Sequence, residues 1–350
     1  MTADPITPCL RQPVLVVQPL PGIGDMVWHL PHIRAIAGHA ERPVTLLAKP
    51  RALAAQLLAN EAAVGAHLAL DLNPGNRRGA HDGAGGLIRL ARLLRGGEFG
   101  SAVLLHHSAT IAAATMLAGI PQRLGYGWGG QRIFLNTRPF LPAEIGRLHQ
   151  HTRATRYLAA LGIPLPSAEP ALTVSQEARS DARHRFGAQF IAIGIGSSEP
   201  LRQWGADRFA TLGASLLDAG WPRLVLLGGP EDAPAAAAIR AAVGSRSAQV
   251  VPALGMHLTQ VAGLLAEAAF YVGNNTGVMN MAAAVGIRTY ALFGTTAPFH
   301  HASQIVAITA PDLGVHDGMG RVSVDAVLSA IRMDRGRLGP RDVDVATPAA

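Results

Sequence analysis

Residues 14–31 read VLVVQPLPGIGDMVWHLP. Val14–Val17 is a β-branched run without a polar residue, the signature of a strand buried on both faces. Gly22 and Gly24 then permit a tight turn, and a helix is expected from about Met26 to Gly38. A buried strand followed by a glycine turn and a helix is the unit of a parallel α/β sheet.

The same alternation continues in both directions from this unit. Strands are expected at Val44–Ala48, Leu68–Leu70 and Ala102–Leu105, with helices at Gly86–Arg95 and Ala109–Ala118. A second set follows, with strands at Phe190–Gly194, Arg223–Leu227, Val250–Val251, Phe270–Val272 and Thr289–Phe293. Helices are expected at Asp207–Ala219, Ala233–Val243, Leu258–Ala266, Gly277–Val285 and Val324–Met333. Between the sets, LPSAEPALT at 165–173 breaks the periodicity with prolines. The expected architecture is two Rossmann-like domains facing each other across a cleft. Residues 1–168 form the first, residues 169–334 the second, and 335–350 a disordered tail. In such sheets ligands sit beyond the carboxyl ends of the strands, so loops that follow strands carry the chemistry.

The 350 residues are 49% hydrophobic, which excludes a disordered chain, and one cysteine excludes a disulfide framework. No apolar run reaches the roughly 18–20 residues of a membrane span, and the first residues lack the pattern of a secretory signal. A cytoplasmic protein is expected. The net charge of +7 lies entirely before residue 171, and Lys49 is the sole lysine among 30 basic side chains. Arginine forks suit phosphate and carboxylate groups. The arginines are scattered and not interleaved with aromatics, which argues against nucleic acid.

Four loops follow strands and carry polar groups. In the first, Asp25 lies at or just before a helix start, where it is either an N-cap or a carboxylate able to take a proton from a hydroxyl. In the second, GIGSSEPLRQW at 194–204, Ser197, Ser198 and Arg202 suit a phosphate. In the third, LGGPED at 227–232, Glu231 is either part of a helix cap or an acceptor for ribose hydroxyls. In the fourth, VGNNTGVMNMAAAVG at 272–286, a small-residue helix starts near Gly277, and its backbone N–H groups and dipole favour a diphosphate. The fourteen histidines form no HExxH or comparable ligand set, and no G-x-S-x-G elbow is present.

With these loops in place, residues 14–332 resemble the heptosyltransferases of glycosyltransferase family 9. The resemblance rests on PGIGDMVWHLP, IPQRLGYG at 120–127, SSEPLRQW, LGGPED and the run from Gly273 to Pro298. It implies a GT-B fold and an inverting, metal-independent transfer from a nucleotide diphosphate sugar, most often ADP-linked, with no cofactor. The acceptor would be an anionic lipopolysaccharide-core or other bacterial glycan, met in peripheral contact with the inner membrane. It also implies Asp25 as general base, with Gly24 and Arg123 on the acceptor side. Arg202 stands where the family usually has lysine to neutralise the leaving diphosphate. Ser197, Ser198, Glu231, Asn275, Thr276, Gly277 and Asn280 fall at donor-binding positions.

Two positions depart from the family's Asp-Thr-Gly-x-x-His. Here the run is Asn275-Thr276-Gly277-Val278-Met279-Asn280, which keeps the shape but loses a carboxylate and an imidazole. A degenerate nucleotide-sugar-binding or assembly protein therefore stands as the alternative, with a sugar-nucleotide epimerase behind it.

Overall fold

The computed structural model describes residues 8–334 apart from 76, 295, 300 and 313–316. The expected tail at 335–350 and His300 lie outside the described residues. The chain divides into two compact units after Pro170.

The first unit contains β1 (Val14–Gln18), α1 (Ile23–His39), β2 (Val44–Ala48), α2 (Ala54–Leu57) and β3 (Val64–Ala69). It continues with α3 (Gly83–Arg95), β4 (Ser101–Leu104), α4 (Ala109–Leu117), β5 (Gln122–Gly125) and α5 (Gln150–Ala160). The five strands pair in parallel in the order β3-β2-β1-β4-β5. Leu15, Val16 and Val17 of the central strand are fully buried, as expected of a β-branched run between two layers of helix.

The second unit opens with α6 (Gln176–Phe186), β6 (Ile191–Gly194), α7 (Ala206–Asp218), β7 (Leu224–Gly228) and α8 (Ala233–Ala242). Next come β8 (Val250–Leu254), α9 (Leu258–Glu267), β9 (Tyr271–Asn274) and α10 (Gly277–Ala284). It closes with β10 (Thr289–Phe293), β11 (Ile305–Thr309) and α11 (Val324–Asp334). All six strands run parallel in the order β11-β10-β9-β6-β7-β8. Its core gathers Trp204, Phe209, Phe270 and Tyr290, and the Trp204 indole N–H reaches the Val322 carbonyl at 2.7 Å.

In each sheet the strand order reverses once, between β1 and β4 in the first and between β6 and β9 in the second. Such switch points leave room for a ligand, because the two flanking crossovers leave in opposite directions. The loops after β1, β6 and β9 are those that carry Asp25, Arg202 and Asn275.

Five elements escaped the periodicity. α2 and β5 are four residues each, β11 is an apolar run that is mostly only half-buried, and α5 and α6 are strongly polar: α6 reads QEARSDARHRF, and only Ala178, Ala182 and Phe186 of it are buried. Its packing is fixed by α9, where a β-carbon on Gly263 would collide with the Ala178 carbonyl. The first helix also starts earlier than expected, at Ile23 instead of Met26.

Candidate active site

The earlier helix start changes the position of Asp25. It is the third residue of α1 and not its N-cap, which is Gly22. The Gly22 N–H donates to Asp25 Oδ2 at 2.9 Å, so the carboxylate satisfies one of the helix's orphan donors from inside the first turn. Asp25 is half-buried and Gly24 is buried.

One turn along α1, His29 is fully buried and its Nδ1–H donates to the Asp25 carbonyl at 2.7 Å. Burial pulls its pKa down to about 4, against the opposing pull of that bond, so the ring is neutral at pH 7. His32 lies 5.7 Å from it, centroid to centroid, and its Nε2 meets Thr155 Oγ1 at 2.9 Å, tying α1 to α5. Burial, then the neighbouring His29 and His151, holds His32 well below the usual histidine range. The sequence reading passed over His29, although its i+4 spacing from Asp25 places both on one helix face.

At the ends of β4 and β5, His106 stacks on His107 at 4.4 Å, and the Arg153 guanidinium lies 5.8 Å from the Trp128 ring centroid. Burial and then nearby positive groups, among them His107, Arg153 and Lys49, lower His106 to about 4. Arg153 has no carboxylate partner among the described residues. Arg123 is placed differently: Nε donates to the Phe134 carbonyl and Nη1 to the Ile120 carbonyl, each at 2.7 Å. Its side chain clamps β5 to the segment that follows.

In the second unit, Ser197 Oγ closes a small turn with Glu199, accepting its N–H at 3.1 Å, while Ser198 is exposed. Arg202 Nε lies 2.9 Å from Glu199 Oε2 in an ion pair. Glu231 is exposed at the end of β7. Thr276 is the N-cap of α10, with extended backbone and no side-chain capping bond, and Gly277 is the helix's first residue. Asn275 Nδ2 donates to Thr296 Oγ1 at 3.1 Å, and the buried Asn280 donates to the Thr276 carbonyl at 3.0 Å.

The neighbour of Asn275 is a second residue that the sequence reading missed. Asn274, the last residue of β9, is fully buried. Its Oδ1 accepts the Trp204 N–H at 3.1 Å and its Nδ2 donates to the Ile195 carbonyl at 2.8 Å. It thereby joins the β6 loop to the end of β9. The only sequence signal was the doubling of asparagine in GNNTG.

Among the described residues no group of three or more His, Cys, Asp or Glu is arranged to hold a metal ion. No described helix is long and apolar enough to cross a membrane.

Two parallel α/β units with polar loops and a helix N-terminus at their switch points are the framework of a GT-B glycosyltransferase. The chain belongs to glycosyltransferase family 9 (heptosyltransferase), whose model matches residues 87–310. It is a glycosyltransferase. Over 244 residues, 63% of this chain and 68% of the relative, it is 28% identical to lipopolysaccharide heptosyltransferase 2 of Escherichia coli (strain K12). It is 26% identical to lipooligosaccharide heptosyltransferase 2 of Haemophilus influenzae over 60% of this chain and 64% of that one. The solved structure of E. coli ADP-heptose LPS heptosyltransferase II superposes with a TM-score of 0.73, covering 91% of this chain and 97% of the other at 23% identity.

Proposed function

We propose that this glycosyltransferase moves a heptose or closely related sugar from a nucleotide diphosphate sugar, ADP-linked, to a lipopolysaccharide-core acceptor, with inversion and without a metal ion. The observation that carries the reading is Asp25, a half-buried carboxylate in the first turn of α1 at the first sheet's switch point. The relatives named above, one an ADP-heptose enzyme and two acting on lipopolysaccharide or lipooligosaccharide, supply the substrate class. On this reading the enzyme is cytoplasmic and meets its acceptor in peripheral contact with the inner membrane.

The acceptor hydroxyl oxygen attacks the anomeric carbon from the face opposite the diphosphate. Its proton passes to the Asp25 carboxylate, the glycosidic bond forms, and the bond from the anomeric carbon to the diphosphate oxygen breaks. The nucleoside diphosphate leaves with the electron pair, and its new charge is met by Arg202 and the N–H groups at Thr276 and Gly277. Ser197, Ser198, Asn275 and Asn280 complete the phosphate side, and Glu231 accepts from ribose hydroxyls. Gly24 lets the acceptor approach the α1 backbone. Arg153 beside Trp128 suits an anionic sugar better than Arg123, whose nitrogens serve backbone carbonyls.

The decisive experiment supplies ADP-heptose and a heptose-deficient core acceptor, with EDTA present. A glycosylated product from the wild type, lost in Asp25→Ala, supports the assignment; a product formed equally by the variant removes Asp25 from the role of base. The inward-turned amides of Asn275 and Asn280 favour one competing reading, a non-catalytic donor-binding protein. Donor binding with no transfer to any acceptor would establish that instead.

A further inference from the structure

Strands β9, β6 and β7 are neighbours and end level, with Gly194 paired to Gly273 on one side and to Leu227 on the other. Across their carboxyl ends runs a line of three side chains. Asn274 Nδ2, besides its bond to the Ile195 carbonyl, lies 3.3 Å from the Gly196 carbonyl and 3.4 Å from Gln203 Oε1. Gln203 Nε2 donates to the Ser197 carbonyl at 3.2 Å, and its amide lies near enough to the Asp232 carboxylate to favour the ionised form. Asp232 is buried, and its Oδ2 accepts the Gly229 N–H at 2.8 Å. Two amides and a carboxylate therefore follow one another across the strand ends, the amides tied to the β6 loop through the Ile195, Gly196 and Ser197 carbonyls and the carboxylate packed against Gly196 and Gly228.

Backbone space is reserved for this line. A β-carbon on Gly228 would stand 2.6 Å from Asp232 Oδ2, and one on Gly196 would overlap the same oxygen. Each member also precedes or follows a proposed donor contact in the chain: Asn274 precedes Asn275 and Thr276, Gln203 follows Arg202, and Asp232 follows Glu231.

We propose that Asn274, Gln203 and Asp232 are positioning residues, a frame that sets the spacing between the phosphate-binding loops and the ribose-binding loop and so governs donor affinity without touching the donor. The inference rests on the reading of those loops as the donor site. Burial holds the Asp232 carboxyl above its ordinary range, while the Gly229 N–H and the Gln203 amide pull it back, so the line is sensitive to a second charge placed beside it.

Gln203→Glu places that charge against Asp232 and the Ser197 carbonyl. ADP affinity by calorimetry is expected to fall at least about tenfold at pH 7.5 and to recover as pH is lowered and the carboxylate pair takes up a proton. Combining it with Asp232→Asn puts an amide donor opposite the new carboxylate, so the double variant is expected to regain most of the loss, a coupling that independent sites do not show. Acceptor KM stays unchanged. Hydrogen exchange of the Trp204 amide, measured without nucleotide, reads the frame alone: faster in Gln203→Glu, restored in the double variant. Gln203→Leu, which removes the bonds without adding charge, serves if Gln203→Glu does not fold. A single variant that matches wild type in both measurements, or a double variant as weak as the sum of the singles, overturns the frame. A wild type that binds no nucleoside diphosphate overturns the donor-site reading and the affinity effect, while the exchange pattern still decides whether the three residues hold the loops.

Discussion

Gly22 and Asp25 share one small space at the start of α1. The Gly22 N–H donates to Asp25 Oδ2 at 2.9 Å, and a β-carbon on Gly22 would stand 2.7 Å from that same oxygen. Glycine at 22 thus holds the carboxylate by its backbone and leaves it room. Gly22→Ala is expected to displace the Asp25 side chain and lower turnover while the melting temperature stays near wild type. Crystallography of the variant and a transfer assay check the pair; full activity would show that the carboxylate's position is not critical.

Asp25→Ala removes both the proposed base and the bond to Gly22. Turnover is expected to fall at least about 10²-fold, the scale of general-base catalysis. Stability should fall by about 1 kcal/mol, the net worth of a part-buried hydrogen bond. Parallel denaturation and transfer measurements separate the two effects.

Arg202 is held by Glu199, three residues earlier, and a diphosphate competes with that carboxylate for the guanidinium. Arg202→Ala is expected to lower kcat by about 10²-fold through loss of leaving-group stabilisation. Glu199→Gln should tighten nucleoside diphosphate binding. Unchanged kcat in the first variant would exclude Arg202 from the reaction.

Nucleotide identity is testable by thermal unfolding against ADP, UDP, GDP and dTDP in EDTA. At about 100 times its dissociation constant, the matching nucleotide adds roughly 2.7 kcal/mol of stability. ADP is expected to act selectively; a larger shift from another base redirects the donor assignment.

The buried histidines predict a pH dependence of stability. His29 and His106 sit at about 4 when folded against 6.5 otherwise. Between those values the unfolded chain binds protons that the folded unit does not. Stability is therefore independent of these groups above about pH 6.5 and falls as pH drops from there toward about 4. Each histidine contributes a slope of about 1.4 kcal/mol per pH unit in that window. Urea titrations at pH 7.5, 6 and 5 measure it, and His29→Gln should flatten the slope; an unaltered slope would contradict the assignment.

Much of the fold was legible because buried parallel strands are short apolar runs and their helices have a 3.6-residue period. α10 begins at Gly277, the residue where the small-residue helix was expected. Asp25, by contrast, was expected at or just before the helix start and is the third residue of α1, because Gly22 and Gly24 read as a tight turn until Gly22 is seen to be the helix N-cap. Arg123 looked available, since nothing local shows that the carbonyls of Phe134 and Ile120 converge on it.

By itself the sequence determined the strand–helix alternation, the two sets, and which loops carry polar groups, since all of these depend on residues close together in the chain. Only the tertiary structure decided that Asn274 reaches Trp204, 70 positions away, and that Gln203 lies between Asn274 and Asp232. The physical reason is that such contacts depend on strand order. β9 lies beside β6, although two other strands separate them in the chain, and no local pattern of hydrophobicity records that neighbourhood.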